Sequence, residues 1–394
     1  MPRPKILYVI TYAFPTRFLR GTLAFMKSKG YEPIICSTAG PELTETAKLD
    51  DVEYIELNIE REIKPLADLR SLWALYRLMR RIKPAVCVTG TPKASLLGNI
   101  AAYFAGVPVR IMQLRGLRLE TTTGLKRRVL WLTEKIAAMT ARQIWPVSKS
   151  LTERYLALKL APAKKIKLFG AGSSHGVDAR HFDRNRSDLQ RTANELRIRY
   201  NLREGCPVIG FIGRMTKDKG IGELADAFKI VLEKYPMTQL VIVGPDAEND
   251  AVDPAKIDFL KNHPQVVIVG NSFDVAPWYC LFDLLAFPSY REGFPNVVLE
   301  AAAMQLPVVG FNVTGTVDAI DDGKTGWVVP GGDVSELASA ILRYLDDSAL
   351  RLEHGANARH RIIRDFRPED IWQSQYEEIG KAIAEKNKVV GDTV

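Results

Sequence analysis

The sequence lacks the features that mark membrane-spanning and disulfide-stabilised proteins. No apolar run approaches the ~20 residues that a membrane-spanning helix needs. The first residues lead directly into an apolar strand of about six residues, too short for the apolar core of a signal peptide, so we expect none. Cys36, Cys87, Cys206 and Cys280 are far apart and fit neither a disulfide framework nor a zinc site. These absences predict a cytosolic protein with reduced cysteines.

A dinucleotide-binding fingerprint is also missing. Lys5 to Phe14 is predicted to form the first parallel strand, and the turn after it reads P-T-R-F-L-R-G instead of G-x-G-x-x-G. A dinucleotide site is therefore not expected here. The sequence contains no convincing metal cluster, no solenoid repeat and no low-complexity segment. We expect neither a metal nor another cofactor.

Charge, by contrast, is abundant and unevenly distributed. The 394-residue chain has a formal net charge of +8, but residues 1–170 hold 29 Lys and Arg against 13 Asp and Glu, a net +16. The remainder holds 25 basic against 33 acidic residues, a net −8. This asymmetry predicts that one half of the protein faces something anionic.

Apolar strands alternate with helical segments along both halves of the chain, which is typical of α/β folds with parallel sheets. A loop with three glycines at 170–178 and a polar helical segment interrupt the pattern, which resumes with an apolar strand at 207–213. We therefore predict two Rossmann-like domains, residues 1–176 and 177–372. Their ligand cleft is expected between them, at the carboxyl ends of the strands.

The most informative stretch is the predicted strand, turn and helix between residues 281 and 304. Leu281 to Phe287 is an apolar strand, Gly293 and Pro295 mark the turn, and an Ala-rich helix follows. Such a turn directs free N–H groups and the positive end of the helix dipole at one place, which makes an anion site. Glu292 and Glu300 flank that place. The combination suits a phosphorylated sugar, whose hydroxyls donate to carboxylates while its phosphate accepts from N–H groups.

A second loop, G-R-M-T-K-D-K-G from Gly213 to Gly220, also follows a strand and opens a helix. Arg214 and Lys219 there supply the two cations that a metal-free diphosphate site requires, although a solvated basic turn is the alternative. Glu300 lies among apolar residues and needs a partner, either ribose hydroxyls or an internal ion pair.

These motifs together resemble the retaining glycosyltransferases of family 4, which have the GT-B fold. The resemblance rests on Arg214 with Lys219 and on P-S-Y-R-E-G-F-P-N-V-V-L-E-A at 288–301, and it continues through L-P-V-V at 306–309 and D-G-K-T-G-W at 322–327. The loop at 170–178 resembles the interdomain segment of that family. The resemblance implies two Rossmann-like domains facing a cleft and a nucleoside-diphosphate sugar as the donor.

The same resemblance implies a role for each matching residue. Glu292 would contact the donor sugar, Glu300 the ribose, and Arg214 with Lys219 the diphosphate. Glu292, Arg214 and Lys219 are therefore the expected catalytic set. The remaining expected donor-binding residues belong to the turns, namely Gly213, Gly293, Phe294, Pro295, Asn296 and Val297. Residues 373–394 would form a helix and tail that pack back on the first domain.

The first half matches the family less closely. Phe18-Leu19 stands where family members often have Gly-Gly, and T-G-T-P-K follows the strand at 85–89 where many have a histidine, so no catalytic histidine can be carried over. Candidate acceptor or interdomain contacts are Thr91, Lys93, Arg115 and His175. A helix cap is the alternative for Thr91, and an ordinary loop position the alternative for His175.

A basic segment at 110–167 holds 14 Lys and Arg against 3 Asp and Glu. Lys126, Arg127 and Arg128 lie next to Trp131, a combination that favours contact with an anionic membrane surface. Nucleic acid is not expected, because no recognised binding module is visible. An ordinary solvated helix surface is the bland alternative. The resemblance supports the membrane, because R-G-L-R-L-E-T-T-T-G-L-K-R-R at 115–128 is similar to bacterial family members that extend sugars on a polyprenyl-diphosphate carrier.

We therefore expect a retaining glycosyltransferase, cytoplasmic and peripherally bound to the inner face of the cytoplasmic membrane. It would move a hexose or N-acetylhexosamine from a nucleotide sugar, which we expect to be a UDP-sugar, to a lipid-linked saccharide. The product would serve the assembly of a surface polysaccharide such as lipopolysaccharide or capsule. The alternatives are a nucleotide-sugar epimerase or phosphorylase on the same architecture, and a catalytically inactive nucleotide-sugar binding protein.

Overall fold

The computed structural model describes residues 3–60, 64–246 and 252–391, without the side chains of residues 387–391. The chain divides into two compact units: unit 1 comprises residues 1–175 and 368–394, and unit 2 comprises residues 176–367. Each unit is built on its own six-stranded sheet, in which every strand pairing is parallel. The predicted α/β architecture is confirmed.

The sheet of unit 1 has the strand order β3-β2-β1-β4-β5-β6. Its strands are β1 (Lys5–Val9), β2 (Glu32–Ser37), β3 (Glu53–Glu56), β4 (Val86–Thr89), β5 (Val109–Leu114) and β6 (Gln143–Pro146). Its first six helices are α1 (Thr22–Ser28), α2 (Pro41–Asp50), α3 (Pro65–Ile82), α4 (Pro92–Phe104), α5 (Gly124–Thr140) and α6 (Lys149–Ala157). The strand order reverses between β1 and β4, the place where doubly wound sheets form ligand sites.

Apolar residues cover both faces of this sheet because parallel strands are buried on both sides. Ile6 and Tyr8 of β1 belong to one apolar cluster, whereas Leu7 and Val9 belong to the cluster on the opposite face. Helix α3 packs on α4, and α4 packs on α5, so these three helices form one layer.

The sheet of unit 2 has the order β12-β11-β10-β7-β8-β9. Its strands are β7 (Val208–Ile212), β8 (Gln239–Val243), β9 (Val266–Gly270), β10 (Leu284–Phe287), β11 (Val308–Phe311) and β12 (Gly326–Val329). Its helices are α7 (Ser187–Arg199), α8 (Ile221–Lys234), α9 (Pro254–Asn262), α10 (Ala276–Leu281), α11 (Asn296–Ala303), α12 (Thr316–Ala319), α13 (Val334–Asp346) and α14 (Ser348–Asp365). The order reverses between β10 and β7, the two strands that precede the loops singled out in the sequence.

The last helix, α15 (Pro368–Gly391), belongs to unit 1. Within that unit the Trp372 ring lies 5.9 Å from the Phe25 ring, and the Gln143 side-chain amide donates to Glu378 over 2.8 Å. The sequence-based boundary at 372/373 is therefore too late. Proline is favoured in the first helical turn, and Pro368 starts the new helix after α14 has ended.

Two further sequence-based expectations differ from the structure. The first strand ends at Val9 instead of Phe14, because a 3-10 helix occupies Phe14–Leu19. Apolar residues at i, i+3, i+4 spacing, among them Leu69 and Trp73, predict a helix over residues 65–82 with these side chains on its buried face, and α3 has those bounds, but Leu69 and Trp73 are 62% and 61% exposed. Its buried residues are Ser71, Leu75, Leu78 and Met79. The i, i+3, i+4 pattern is ambiguous on α3 because apolar side chains occupy two of its faces.

No helix within the described ranges is long and apolar enough to cross a membrane.

Candidate active site

The loop after β7, Gly213–Gly220, leaves the sheet of unit 2 where the strand order reverses. The Gly213 N–H donates to the Val243 carbonyl over 2.9 Å, and Lys217–Lys219 forms a single 3-10 turn before α8. Gly220 has φ +70°, and a Cβ there would overlap the carbonyl oxygen of Pro288. Only glycine therefore lets this loop approach the end of β10 so closely.

The loop after β10 leads from Ser289 to Pro295, and α11 begins at Asn296. Pro295 occupies the N-cap position and has no side-chain capping bond. The Val298 N–H donates to the Pro295 carbonyl over 3.1 Å, but no side chain at that position caps the N–H groups of Asn296 and Val297, which an anion could contact. A Cβ at Gly315 would overlap the Gly293 carbonyl oxygen, so the loop after β11 also packs tightly against this turn.

An ion pair joins the two loops. Lys219 Nζ lies 2.6 Å from Glu292 Oε1, and the Ser289 hydroxyl donates to the same oxygen over 2.7 Å. The two charged side chains are only 20% and 13% exposed. Two of the predicted site residues, 73 positions apart in the chain, thus meet directly.

Asp218 holds the cations of the same site in place. Its carboxylate accepts from the Thr216 hydroxyl over 2.6 Å and lies 3.5 Å from Arg214 Nη2 and 3.2 Å from Arg291 Nη2. Burial opposes its ionisation, but the Thr216 hydrogen bond and the surrounding cations lower the pKa of Asp218 below its usual value. Sequence reasoning missed Asp218 and Arg291. The sequence feature that could have identified Asp218 is its position between Lys217 and Lys219, in a loop already predicted to supply cations.

Glu300 finds a partner in Tyr279 on α10. The Tyr279 hydroxyl donates to Glu300 Oε2 over 3.0 Å and lies 3.1 Å from the Val297 carbonyl oxygen. Burial and the Glu300 charge raise the pKa of Tyr279 well above its ordinary value, so the hydroxyl remains a donor. Sequence reasoning had considered ribose hydroxyls or an ion pair for Glu300 and did not identify this tyrosine.

In unit 1, Thr91 lies where the strand order reverses, between β4 and α4. Its hydroxyl is 2.5 Å from that of Thr11 and accepts from the Thr11 N–H over 3.0 Å. Thr91 occupies the N-cap position of α4, but the Ala94 N–H donates to the Thr11 hydroxyl instead. Thr91 therefore occupies the N-cap position, but its own side chain does not cap the helix. The hydroxyl that caps α4 is that of Thr11, which follows β1.

Lys93 is already paired within unit 1. Its Nζ lies 2.6 Å from Asp68 Oδ1 on α3, and the two side chains are 12% and 18% exposed. This contact joins the first turns of α3 and α4, which gives Lys93 a structural task. A role for Lys93 in acceptor binding remains a hypothesis.

Arg115 and His175 lie together at the carboxyl end of the unit 1 sheet. The guanidinium is 5.6 Å from the Phe18 ring centre, and the His175 ring stacks on Phe18 at 5.3 Å. Burial and the Arg115 charge lower the pKa of His175 to about 3, so its ring is neutral at physiological pH. A neutral histidine whose Nδ1 contacts the Ser174 hydroxyl at 2.8 Å is a packed residue instead of an ordinary exposed loop residue.

Comparison with known proteins identifies the family. A family model described as "Glycosyl transferase 4-like domain" matches residues 15–172, and one described as "Glycosyl transferases group 1" matches residues 206–347. The capsular polysaccharide biosynthesis glycosyltransferase CapM of Staphylococcus aureus is 35% identical over 373 residues, which cover 95% of this chain and 96% of CapM. This chain belongs to the group 1, family 4-like glycosyltransferases.

This glycosyltransferase has a second full-length relative in Escherichia coli. The UDP-Gal:alpha-D-GlcNAc-diphosphoundecaprenol alpha-1,3-galactosyltransferase is 26% identical over 344 residues, 84% of each chain. Among solved structures, Anabaena HepE in complex with UDP and glucose superposes with a TM-score of 0.79 at 18% identity, covering 96% of this chain and all of HepE. The architecture of the glycosyltransferase is therefore GT-B.

The basic helix of this glycosyltransferase presents only part of the predicted membrane set to solvent. Lys126 and Arg128 are exposed. Arg127 donates to the Leu119 carbonyl over 3.1 Å, and the Trp131 indole N–H donates to the Leu158 carbonyl over 3.0 Å. Arg127 and Trp131 are thus held by hydrogen bonds within unit 1, and membrane contact by this set stays a prediction.

In the part of the chain that the structure describes, no group of three or more His, Cys, Asp or Glu side chains could hold a metal ion. The cysteines form no disulfide, and Cys36 and Cys87 are buried in the unit 1 sheet. The cationic side chains that the two loops of unit 2 bring together are Lys219, Arg214 and Arg291.

Proposed function

We propose that this glycosyltransferase moves a hexose or N-acetylhexosamine from a UDP-sugar to a lipid-linked saccharide, with retention of anomeric configuration and without a metal ion. The observation that carries the proposal is the half-buried Lys219–Glu292 pair just before the first turn of α11. It places a cation, a carboxylate and a helix N-terminus at the end of neighbouring strands β7 and β10.

The cations and the helix N-terminus suit the departing diphosphate. As the bond between the anomeric carbon and the diphosphate breaks, negative charge gathers on the phosphate oxygens. Lys219 has three N–H donors, and only some of them serve Glu292, so others can reach a phosphate oxygen. Arg214 is half exposed and only loosely held by Asp218, so it can turn toward the same group. These charges perform the task that a metal ion performs in other sites.

The Glu292 carboxylate is suited to bind the hydroxyls of the donor sugar. Both contacts found for its carboxylate fall on Oε1, which leaves Oε2 to accept hydrogen bonds from sugar hydroxyls. In the proposed step the acceptor oxygen bonds to the anomeric carbon on the face that the diphosphate leaves. The acceptor proton passes to the departing diphosphate. Glu292 then orients the sugar and stabilises the positive charge that develops on its ring.

The relatives support the choice of substrates. The Escherichia coli relative is named for a UDP-sugar donor and a diphosphoundecaprenol-linked acceptor, and the Staphylococcus aureus relative for capsule biosynthesis. A Campylobacter jejuni relative, 26% identical over 334 residues, is named for a diphospho-undecaprenol acceptor and transfer of N-acetylgalactosamine. A lipid-linked acceptor requires the enzyme to work at a membrane surface.

The layer formed by α3, α4 and α5 offers a surface for that membrane. Exposed apolar residues in it are Leu66, Leu69, Trp73, Tyr103, Phe104, Leu125, Val129, Leu132 and Met139. Exposed basic residues in it are Arg70, Arg77, Arg80, Arg81, Lys126 and Arg128. Apolar side chains interspersed with basic ones fit the interface of an anionic bilayer, where each cation adds about 1 kcal/mol. We propose that this layer holds the enzyme at the inner face of the cytoplasmic membrane.

A transfer assay tests the catalytic proposal. The enzyme is incubated with a panel of UDP-sugars and a diphosphate-lipid-linked saccharide in the presence of a chelator, and the product linkage is determined by NMR. We expect one UDP-sugar to be transferred with its anomeric configuration retained. Lys219→Met should lower the rate ~10²–10³-fold. Lys217→Met, which removes an exposed lysine from the same turn, should stay within about twofold of the unmodified enzyme.

Other outcomes would contradict specific parts of the proposal. An inverted product refutes retention, and activity that requires a divalent ion refutes the metal-free site. Conversion of the nucleotide sugar without an acceptor indicates an epimerase, and release of a sugar phosphate with inorganic phosphate indicates a phosphorylase. Tight binding of a UDP-sugar without any turnover across the panel indicates an inactive binding protein.

Liposome sedimentation tests the membrane surface. Leu69→Ser combined with Trp73→Ser should weaken binding to anionic vesicles at least fivefold, because both exposed apolar anchors are lost. Ile198→Ser is the matched control, since Ile198 is 78% exposed on α7 in unit 2. Equal binding of the double variant and the control would refute this surface.

A further inference from the structure

Arg115 is a buried cation without a matching anion. Its Nη2 donates to Gln113 Oε1 over 2.9 Å, but Nε and Nη1 are buried and have no hydrogen-bond partner. Burial lowers its pKa to about 10, so the group still carries its charge at neutral pH. Across the described ranges of the chain, no carboxylate forms an ion pair with it. An uncompensated buried charge is costly and needs a reason.

Other largely buried arginines of the same chain are satisfied by backbone carbonyls. Arg110 donates to the carbonyls of Thr140 and Val107 over 2.8 and 2.7 Å. Arg361 donates to two carbonyls, each over 2.6 Å. Arg184 likewise donates to two carbonyls, over 3.3 and 2.8 Å. In each of these three arginines, backbone carbonyls accept hydrogen bonds from the guanidinium group. Arg115 differs, because its Nε and Nη1 have no hydrogen-bond partner.

The surroundings of Arg115 leave its charge available. Its neighbours are the Phe18 ring, the Gln113 amide and the neutral His175 ring, none of which carries negative charge. Gly90, at the end of β4, lies beside the guanidinium group, and a Cβ there would come within 2.7 Å of the Ile10 side chain. The residue as a whole is partly exposed, whereas Nε and Nη1 are enclosed in this structure.

We propose that Arg115 binds a phosphate oxygen of the acceptor's diphosphate group. A phosphate anion matches an arginine that lacks a carboxylate, because guanidinium N–H groups form strong charge-assisted hydrogen bonds with phosphate oxygens. The donor diphosphate has its own cations in unit 2, Lys219 and Arg214. The identity of the anion as part of the acceptor rests on the proposed function, whereas the existence of the anion site does not.

Inorganic pyrophosphate tests the anion site without any transfer reaction. The cations of the unit 2 site are first removed by Arg214→Gln, Lys219→Met and Arg291→Gln, and thermal stabilisation by pyrophosphate is then measured with and without Arg115→Met. We expect pyrophosphate to raise the melting temperature of this triple variant by several degrees and to have no effect once Arg115→Met is added. Equal stabilisation of the two proteins overturns the site.

Kinetics then distinguish the acceptor from the donor. In Arg115→Met alone, the KM for a diphosphate-lipid-linked acceptor should rise at least tenfold, while the Kd for UDP stays within twofold. Arg115→Lys, which keeps the charge, should recover part of the loss. A tenfold weaker Kd for UDP with an unchanged KM for the acceptor overturns the acceptor assignment. Arg118→Met, an exposed arginine of the same loop, is the matched control and should change neither value.

Folding of the variants provides a third readout. Removal of a buried, unpaired charge should leave the melting temperature of Arg115→Met unchanged or raised. Arg110→Met should lower it, because two backbone carbonyls lose their partner. If Arg115→Met melts as early as Arg110→Met, Arg115 has a structural role and the proposal fails.

Discussion

Replacing Lys219 with methionine separates the observed role of its ammonium group, holding Glu292, from its proposed role, binding the donor diphosphate. The ion pair spans 2.6 Å, and its two side chains are 20% and 13% exposed. At an effective dielectric constant of 20 the gross attraction at that distance is about 6 kcal/mol, most of which desolvation offsets. Exposed pairs contribute up to about 1 kcal/mol, and breaking a fully buried pair costs about 3–5 kcal/mol. We therefore expect Lys219→Met to lower the free energy of unfolding by about 1–3 kcal/mol.

A double-mutant cycle with Glu292→Gln resolves the roles. In chemical denaturation the two changes should couple by about 1–2 kcal/mol, because each removes the partner of the other. In the transfer assay, Lys219→Met should still slow the Glu292→Gln enzyme at least tenfold, because the diphosphate contact does not require Glu292. The Kd for UDP should rise about tenfold for Lys219→Met and remain near its original value for Glu292→Gln.

Two results would refute this reasoning. If Lys219→Met has no further effect on transfer in the Glu292→Gln background, Lys219 acts only by positioning Glu292. If Lys219→Met loses stability but transfers sugar within threefold of the unmodified enzyme, the ion pair is structural and the site assignment fails.

Three further predictions concern the support of the site and of unit 1. Asp218→Asn should lower the free energy of unfolding at pH 7 by about 1–2 kcal/mol. Because the pKa of Asp218 is lowered in the folded state, that difference should shrink below about pH 4, as denaturation at several pH values will show. Tyr279→Phe should raise the KM for the UDP-sugar about five- to tenfold with little change in kcat, because Glu300 loses a hydrogen bond that orients it. Burial raises the pKa of Glu134 on α5 from 4.5 to about 7, so folding stability should fall as pH rises across that interval. Glu134→Gln should remove this fall, a gain of about 3 kcal/mol at pH 8 relative to pH 4.5 in denaturation experiments.

Part of the fold could be predicted from local patterns in the amino-acid sequence. The strand predicted at 207–213 lies within a residue of the observed bounds of β7, Val208–Ile212. Proline at the start of α3 and α9 marks the first helical turn, and the alternation of apolar strands with helices indicates parallel sheets. These features depend on residues close together in the chain, so they can be read from it directly.

Helix α2 (Pro41–Asp50) was missed for a local reason. Its buried residues include Thr46 and Asp50, so it has no apolar stripe to recognise. The Asp50 carboxylate instead accepts from the N–H groups of Gly21 and Ala24, near the start of α1. A buried polar face has no periodic apolar signal, because its partners lie on another element.

The amino-acid sequence by itself determined that each of the two loops follows a strand, opens a helix and carries charged residues that suit a diphosphate sugar. Only the tertiary structure decided which of those charges meet. Lys219 and Glu292 are 73 residues apart, and they pair because β7 and β10 are neighbours where the strand order reverses. Tyr279 orients Glu300 from another helix, and within the described ranges no carboxylate forms an ion pair with Arg115, whose Nε and Nη1 have no hydrogen-bond partner. Strand order and burial arise from packing the whole chain, and no local pattern records them.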